Sequence, residues 1–145
     1  MLWRALRLEA LREAPSAFGS ALADWQGAGD TESRWRDRLA RVAFNVVAFF
    51  GQAPVGMVSG NHHPPEVELI SMWVAPLARG KGVGDQLVDA VVDWATVQGA
   101  LRVVLSVKTG NCRAIHLYQR HQFVETGPSP ETLPGSPEVL FLRNI

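Results

Sequence analysis

The segment from Glu68 to Gly84 constrains this chain more than any other stretch. An apolar run, Leu69-Ile70-Ser71-Met72-Trp73-Val74, leads through Ala75-Pro76 into Arg79-Gly80-Lys81-Gly82-Val83-Gly84. It reads as strand, glycine-rich loop, helix. Such a loop points successive backbone N–H groups outward at a helix N-terminus, which suits phosphate. Glycine lets the backbone approach a ligand closely, and Arg79 and Lys81 add charge suited to a pyrophosphate. Three nucleotide-site patterns compete for the loop. A Walker loop needs Gly-Lys-Ser or Gly-Lys-Thr, and here Gly80-Lys81 is followed by Gly82. A dinucleotide fingerprint needs a third glycine where Asp85 or Leu87 stands, and it belongs to an early βαβ unit, not to a run of strands. The third pattern, Arg/Gln-x-x-Gly-x-Gly/Ala, is met by Arg79, Gly82 and Gly84. A tight strand-to-helix turn that is glycine-rich for local reasons is the plain alternative.

The elements around this loop alternate in type. Leu2, Leu6, Leu8 and Leu11 recur near helical period over residues 2–12, and Pro15 ends that helix before a loop from Ala14 to Ser20. A second helix is expected over 31–41, capped by Asp30 or Thr31, with Trp35 and Leu39 on one face. Strands follow at 45–50 and 55–59 around turn residues Gly51 to Pro54, then a break at 61–65 and a strand at 67–74. Residues 83–98 form a long helix with Val83, Leu87, Val91 and Trp94 along one face, ending at Gly99. A strand at 101–107, a helix at 111–121 capped by Asn111, a strand at 123–126, a loop from Gly127 to Pro137 and a strand at 139–143 complete the chain. This is an α/β (α+β) pattern without a composition shift or repeat, so one domain over 1–145 is expected.

A second segment, Asn111-Cys112-Arg113-Ala114-Ile115-His116-Leu117-Tyr118 running on to Phe123, joins the first in order. Seven residues separate Asn111 from Tyr118, which places them on one helix face two turns apart. Together the two segments resemble the GNAT acetyltransferase superfamily, whose later motif is Asn-x-x-Ala-x-x-Leu-Tyr-x-x-x-Gly-Phe. The resemblance covers nearly the whole chain and departs from the pattern at Gln122, where the family has glycine; a left-handed cap suits glycine best, so the turn there is expected to change. It implies a mixed central sheet flanked by helices, lacking the family's usual first strand, since the sequence opens inside the first helix.

The resemblance also implies acetyl-CoA as cosubstrate and transfer of its acetyl group to a primary amine of a small molecule or a protein, by direct attack in a ternary complex. In the family the loop cradles the CoA pyrophosphate, here through Arg79, Gly80, Lys81, Gly82, Val83 and Gly84. The preceding strand pairs with the pantetheine arm, which by position falls to Met72, Trp73 and Val74. Asn111 and Ala114 fall where the later motif meets CoA, and Tyr118 where a hydroxyl can protonate the departing thiolate. Some members hold a glutamate base where Glu68 stands. In a regular strand Glu68, Ile70, Met72 and Val74 would share one face. The same fold without turnover, a CoA-binding sensor or interaction module, is the second reading. Tyr118 and Glu68 separate the two, because a sensor needs neither.

Composition narrows the field further. Lys plus Arg equals Asp plus Glu at 14 each, so the basic excess of a nucleic-acid binder is missing. No apolar run reaches the roughly 20 residues of a membrane span. One cysteine, Cys112, allows no internal disulfide and fits a reducing cytoplasm; it reads as a small buried or half-buried filler. Cys112 and His116 are two potential ligands without a third, so no metal is expected. His62 and His63 read as solvent-exposed loop residues. Phe18, Trp25 and Trp35 could line an acceptor pocket or belong to the core. Asp85 is expected to turn away from phosphates. The strand Asn45 to Phe50 is apolar, uncharged and without an outer partner, so it should be covered, either by a second subunit, most simply in a homodimer, or by residues upstream of Met1 in a longer product.

Overall fold

The computed structural model describes residues 2–18 and 21–145; Gly19 and Ser20, the end of the expected Ala14 to Ser20 loop, lie outside them. Helix α1 (Leu2–Glu13) and helix α2 (Glu32–Arg41) are joined by short 3-10 turns. Thr31 caps α2, its hydroxyl accepting from the Arg34 N–H at 3.3 Å. Strands β1 (Phe44–Phe50), β2 (Ala53–His63) and β3 (Glu66–Val74) form an antiparallel meander. A 3-10 turn at Pro76–Ala78 leads to α3 (Val83–Val97), then β4 (Arg102–Lys108), α4 (Cys112–Arg120), β5 (Val124–Pro128) and β6 (Glu138–Asn144). The six strands make one mixed sheet in the order β1-β2-β3-β4-β6-β5, parallel only between β3 and β4.

Each face of the sheet carries its own apolar layer. Val83, Leu87, Val88, Val91 and Ala95 of α3 pack with Tyr118 of α4 against Val58, Val67, Leu69, Val103 and Leu105. On the opposite face Trp3, Leu6, Leu8 and Ala10 of α1 and Trp35 of α2 pack against Met57 and Trp73. Leu2 belongs to neither layer, being 42% exposed. Among the described residues no strand precedes α1, so β1 is an edge, with Phe49 and Phe50 exposed at its end. No helix among them is long and apolar enough to cross a membrane.

Two strand expectations are corrected. β2 does not stop at Ser59; it continues to His63, because Asn61, His62 and His63 pair with Glu68, Val67 and Glu66 of β3. Cross-strand pairing thus overrides the weak strand preference of Asn and His. His62 is half-buried with its ring edge toward Trp94 at 6.2 Å, and His63 alone is exposed. Strand β3 is also not regular. Ser59 pairs with Ile70 but Met57 pairs with Trp73, so β3 carries one extra residue, and Ser71 takes φ 56°. A bulge of this kind reverses the alternation beyond it. Val67 and Leu69 face α3 before the bulge, so Glu68 and Ile70 face the α1 side. After it Met72 and Val74 turn to the α3 side and Trp73 to the α1 side.

Candidate functional site

Strands β3 and β4 pair only at Glu66, Val67 and Glu68 against Arg102, Val103 and Val104. Beyond that seam they separate, and the β4-facing backbone of β3 has no strand partner. A cleft of about 840 Å³ opens there. Met72, Trp73 and Val74 form one wall, and Asn111, Ala114 and Leu117 of α4 another, with Lys108 at the end of β4. Arg79, Gly80, Gly82 and Gly84 lie at one end, and Ala14 and Phe18 come from the segment after α1. The structure therefore gathers most of the residues singled out by the two sequence segments into one place.

The loop has the geometry that its glycines permit. Gly80 and Gly82 have φ 76° and 84°, a region that side chains disfavour. A Cβ on either would meet nothing within 4 Å, so the peptide surface is open. Gly82 caps α3 without any side-chain cap, and the first N–H groups of the helix have no intrahelical acceptor. Gly84 serves a different purpose: a Cβ there would stand 3.1 Å from Leu117 Cδ2, so its smallness lets α3 and α4 approach.

Several charges are placed otherwise than the sequence suggests. The Arg79 guanidinium is not free. Its Nε donates to the Val74 carbonyl at 2.9 Å, and its Nη atoms donate to Glu13 at 2.7 and 3.2 Å. Trp73 Nε1 donates to the same carboxylate at 3.0 Å. Arg79, and secondarily Trp73, hold the Glu13 carboxyl below the usual glutamate range. Lys81 lies off the lining, its ammonium 5.6 Å from the centre of the Phe50 ring. Val83 is buried in the α3 core. Lys108, Arg113 and Arg120 also line the cleft, but Lys108 stands 3.7 Å from Glu138 and Arg120 is paired with Asp85, so among the described residues Arg113 is the lining cation without an ion-pair partner. Asp85 does turn toward α4, accepting from Arg120 at 2.9 Å and lying 2.7 Å from His121 Nε2. Glu13, Lys108 and Arg113 carry no motif and escaped the sequence reading.

Asn111 caps α4, its Oδ1 accepting from the Ala114 N–H at 3.3 Å. Tyr118 is buried at 5% exposure beside Phe123 and behind the lining residues Ala114 and Leu117. Burial pushes its hydroxyl far above the ordinary tyrosine range. The turn after α4 keeps its left-handed residue although Gln122 occupies it, with φ 68°. The substitution therefore strains the turn without changing it. Cys112 is exposed and fills no core space: α4 presents it at its solvent-side start.

Glu68 lies across β3 from Met72 and Val74, half-buried, with His63 Nε2 at 3.9 Å. Burial, and then the charge of Glu131, raise its carboxyl above the usual range. Glu131 sits in the β5–β6 loop, which the sequence marked only as a break. Ser129 pins that loop: it is buried, its Oγ lies 2.6 Å from Ser106 Oγ of β4, and it accepts from the Glu131 N–H at 3.1 Å. Trp35 is fully buried core, with Trp25 against it at 4.5 Å, while Phe18 borders the cleft. Among the described residues no group of three His, Cys, Asp or Glu side chains could hold a metal.

Residues 5–123 match the family model described as "Acetyltransferase (GNAT) family". A 61-residue stretch, 42% of this chain, is 36% identical to the L-methionine sulfoximine/L-methionine sulfone acetyltransferase of Pseudomonas aeruginosa, 36% of whose length it covers. The chain spans 25% to 47% of the length of the curated relatives it matches. Among solved structures, Ard1 from Thermoplasma volcanium is 26% identical, with a TM-score of 0.71 over 79% of this chain and 80% of that one. The ribosomal-protein-alanine N-acetyltransferase of Brucella melitensis shares the fold at 22% identity, with a TM-score of 0.72 over 99% and 93% of the two chains.

Proposed function

The chain belongs to the acetyltransferase (GNAT) family, and from that premise we propose that it moves the acetyl group of acetyl-CoA onto a primary amine. One observation carries the reading: the unpaired edge of β3 and the uncapped start of α3 face the same cleft. Such a cleft fits a ligand with an extended amide-bearing arm and a pyrophosphate. The backbone of Gly80 to Gly84 would take the phosphates, and Met72 to Val74 would pair with the arm. Val83 contributes only its N–H, since its side chain is core. Arg113, which has no ion-pair partner among the described residues, favours an anionic ligand.

On the far face of β3 Glu68 is the group suited to accept the amine's proton, directly or through water, because a primary amine with a pKa near 10 is mostly charged at neutral pH. A nitrogen–carbon bond forms at the acetyl carbonyl as the carbon–sulfur bond breaks, and a backbone N–H at the β3 bulge polarises that carbonyl. Tyr118 keeps its proton at physiological pH and is the donor to the departing sulfur. The names of similar proteins include a small amino-acid analogue and a ribosomal-protein alanine, in keeping with an acceptor amine on a small molecule or a protein. The exposed β1 edge supports a homodimer paired along it, which light scattering across dilution would test. The lone Cys112 supports a cytoplasmic location.

Saturating acetyl-CoA should stabilise the folded protein, by about 2.7 kcal/mol at 100 times its Kd. Free thiol should then appear when an amine panel is added. Binding without thiol release on any amine would favour the silent CoA-binding reading. A melting temperature unmoved by acetyl-CoA would remove both.

A further inference from the structure

On the α1 side of β3 lies a cluster of donors short of acceptors. Among the described residues the buried Nη1 of Arg7, on the inward face of α1, has no hydrogen-bond partner, and neither has the buried Nε1 of Trp3, one turn earlier. The Arg38 guanidinium lies 5.4 Å from the centre of the Trp3 ring. It donates only to neutral oxygens: Asn45 Oδ1 at 3.2 Å, Ser59 Oγ at 3.2 Å and Ser71 Oγ at 3.1 Å. Among the described residues neither guanidinium has a carboxylate within ion-pair distance, although Arg4, Arg36, Arg79, Arg102 and Arg120 all do. Burial, and then the charge of Arg38, push Arg7 down to about 10.

Half-buried cations without a carboxylate partner and orphaned donors weaken a fold, so a protein that carries them has an unmet need for acceptor oxygens and negative charge. Their location gives that need a purpose. The Arg7 guanidinium lies over the Phe18 ring, 4.6 Å from its centre; Phe18 lines the cleft, and Arg7 and Arg38 stand outside its lining. Arg38 reaches Ser71, the residue whose left-handed backbone turns the end of β3. The acidic pair Glu68 and Glu131 stands on the same face of β3, a few residues back. One end of this region attracts a cation and the other lacks an anion.

We propose that Arg7 and Arg38 form an anion subsite for the acceptor, which is a small amine bearing a carboxylate on the same molecule, a free amino acid in chemical class. The inference rests on the acetyltransferase reading for the fate of the amine, but carboxylate recognition is separable from transfer. The carboxylate enters past the Phe18 edge and accepts from Arg7 Nη1, with Arg38 supplying the second charge. A peptide N-terminus has an amide in that position and leaves both guanidiniums unpaired.

The test compares L-amino acids with their amides and their decarboxylated amines. Calorimetry on the full chain, with and without CoA, reads binding, and thiol release reads kcat/KM. At least one L-amino acid should bind tenfold or more tightly than its own amide. Arg7→Met should bring the two to parity, leave CoA affinity unchanged, and melt no lower than the parent in the absence of ligand, because it removes an unpaired buried charge. Arg7→Lys, which restores a cation, should recover part of the preference. No amino acid exceeding its amide would overturn the proposal, as would a preference that survives Arg7→Met. Thiol release with amides and amino acids at parity breaks this inference alone. Carboxylate preference without thiol release breaks the acetyl-transfer reading alone.

Discussion

The cleft wall made by the Arg79–Gly84 loop and α4 is built mostly of backbone and small residues: Gly80, Gly82, Gly84, Ala114 and the unpaired edge of β3. Across β3, the region made by α1, α2 and the β5–β6 loop is built of long side chains, Arg7, Phe18, Arg38, Glu68 and Glu131, of which Phe18 alone lines the cleft. Backbone recognition demands particular φ values and helix ends, which local sequence can dictate. Side-chain recognition demands that distant residues meet, which only the tertiary fold provides. The first wall suits a ligand of fixed chemistry, and the second can be altered residue by residue without touching the first.

The largest expected effects set one chemical group from each wall against the other. Tyr118→Phe and Glu68→Gln should each lower kcat by about 100-fold, the typical scale of a proton-transfer group. Their pH profiles should differ. Burial and Glu131 raise the Glu68 carboxyl, so Glu68 stays protonated to a higher pH than a free glutamate, and the rate should climb as pH rises through that value. Tyr118→Phe should keep this limb, Glu68→Gln should abolish it, and Glu131→Gln should move it to lower pH. Identical profiles for Tyr118→Phe and Glu68→Gln would erase the division of labour.

Gly82→Val comes next. It puts a branched side chain at φ 84°, over open peptide surface, and should weaken CoA by about tenfold, a loss of about 1.4 kcal/mol. Acceptor binding at saturating CoA should be unmoved. Calorimetry showing parental CoA affinity would mean that the loop is not the cradle. The smallest effect is on stability alone. Gln122 holds a left-handed conformation at φ 68°, which costs a non-glycine residue about 1 kcal/mol. Gln122→Gly should recover that amount, raise Tm by about 2–4 °C for a chain of this size and leave kcat as it was. A fall in Tm would show that the Gln122 side chain contributes more than its backbone strain costs.

How much was legible follows the same division. The loop, Asn111 as a helix cap and the order of most elements could be read because each depends on residues adjacent in the chain. The extent of β2 could not, since His62 and His63 are strand residues only through pairing with Val67 and Glu66. Nor could the bulge at Ser71: nothing in Leu69-Ile70-Ser71-Met72-Trp73 announces a left-handed serine, yet it moves Met72 to the opposite face from Glu68. Arg79 looked like a phosphate ligand because Glu13, its partner, is 66 residues away. Glu131 and Arg7 gain meaning only from neighbours on other elements.

The short seam between β3 and β4 has a mechanical consequence. Three residue pairs, the Arg102–Glu66 ion pair and the Leu101 N–H donating to the Pro65 carbonyl hold two three-stranded plates together at one end. Plates joined along so short a line bend most easily about it, and whatever wedges into the far end fixes the angle between them. Glu68 rides on one plate and Glu131 on the other. Seating the first ligand is therefore expected to set the gap between these two carboxylates, within what the α3 core packed on both plates allows, and initial-rate kinetics showing an order of addition would check it. The hinge would make the sheet itself the device that delays the acceptor until the acyl donor has locked the angle.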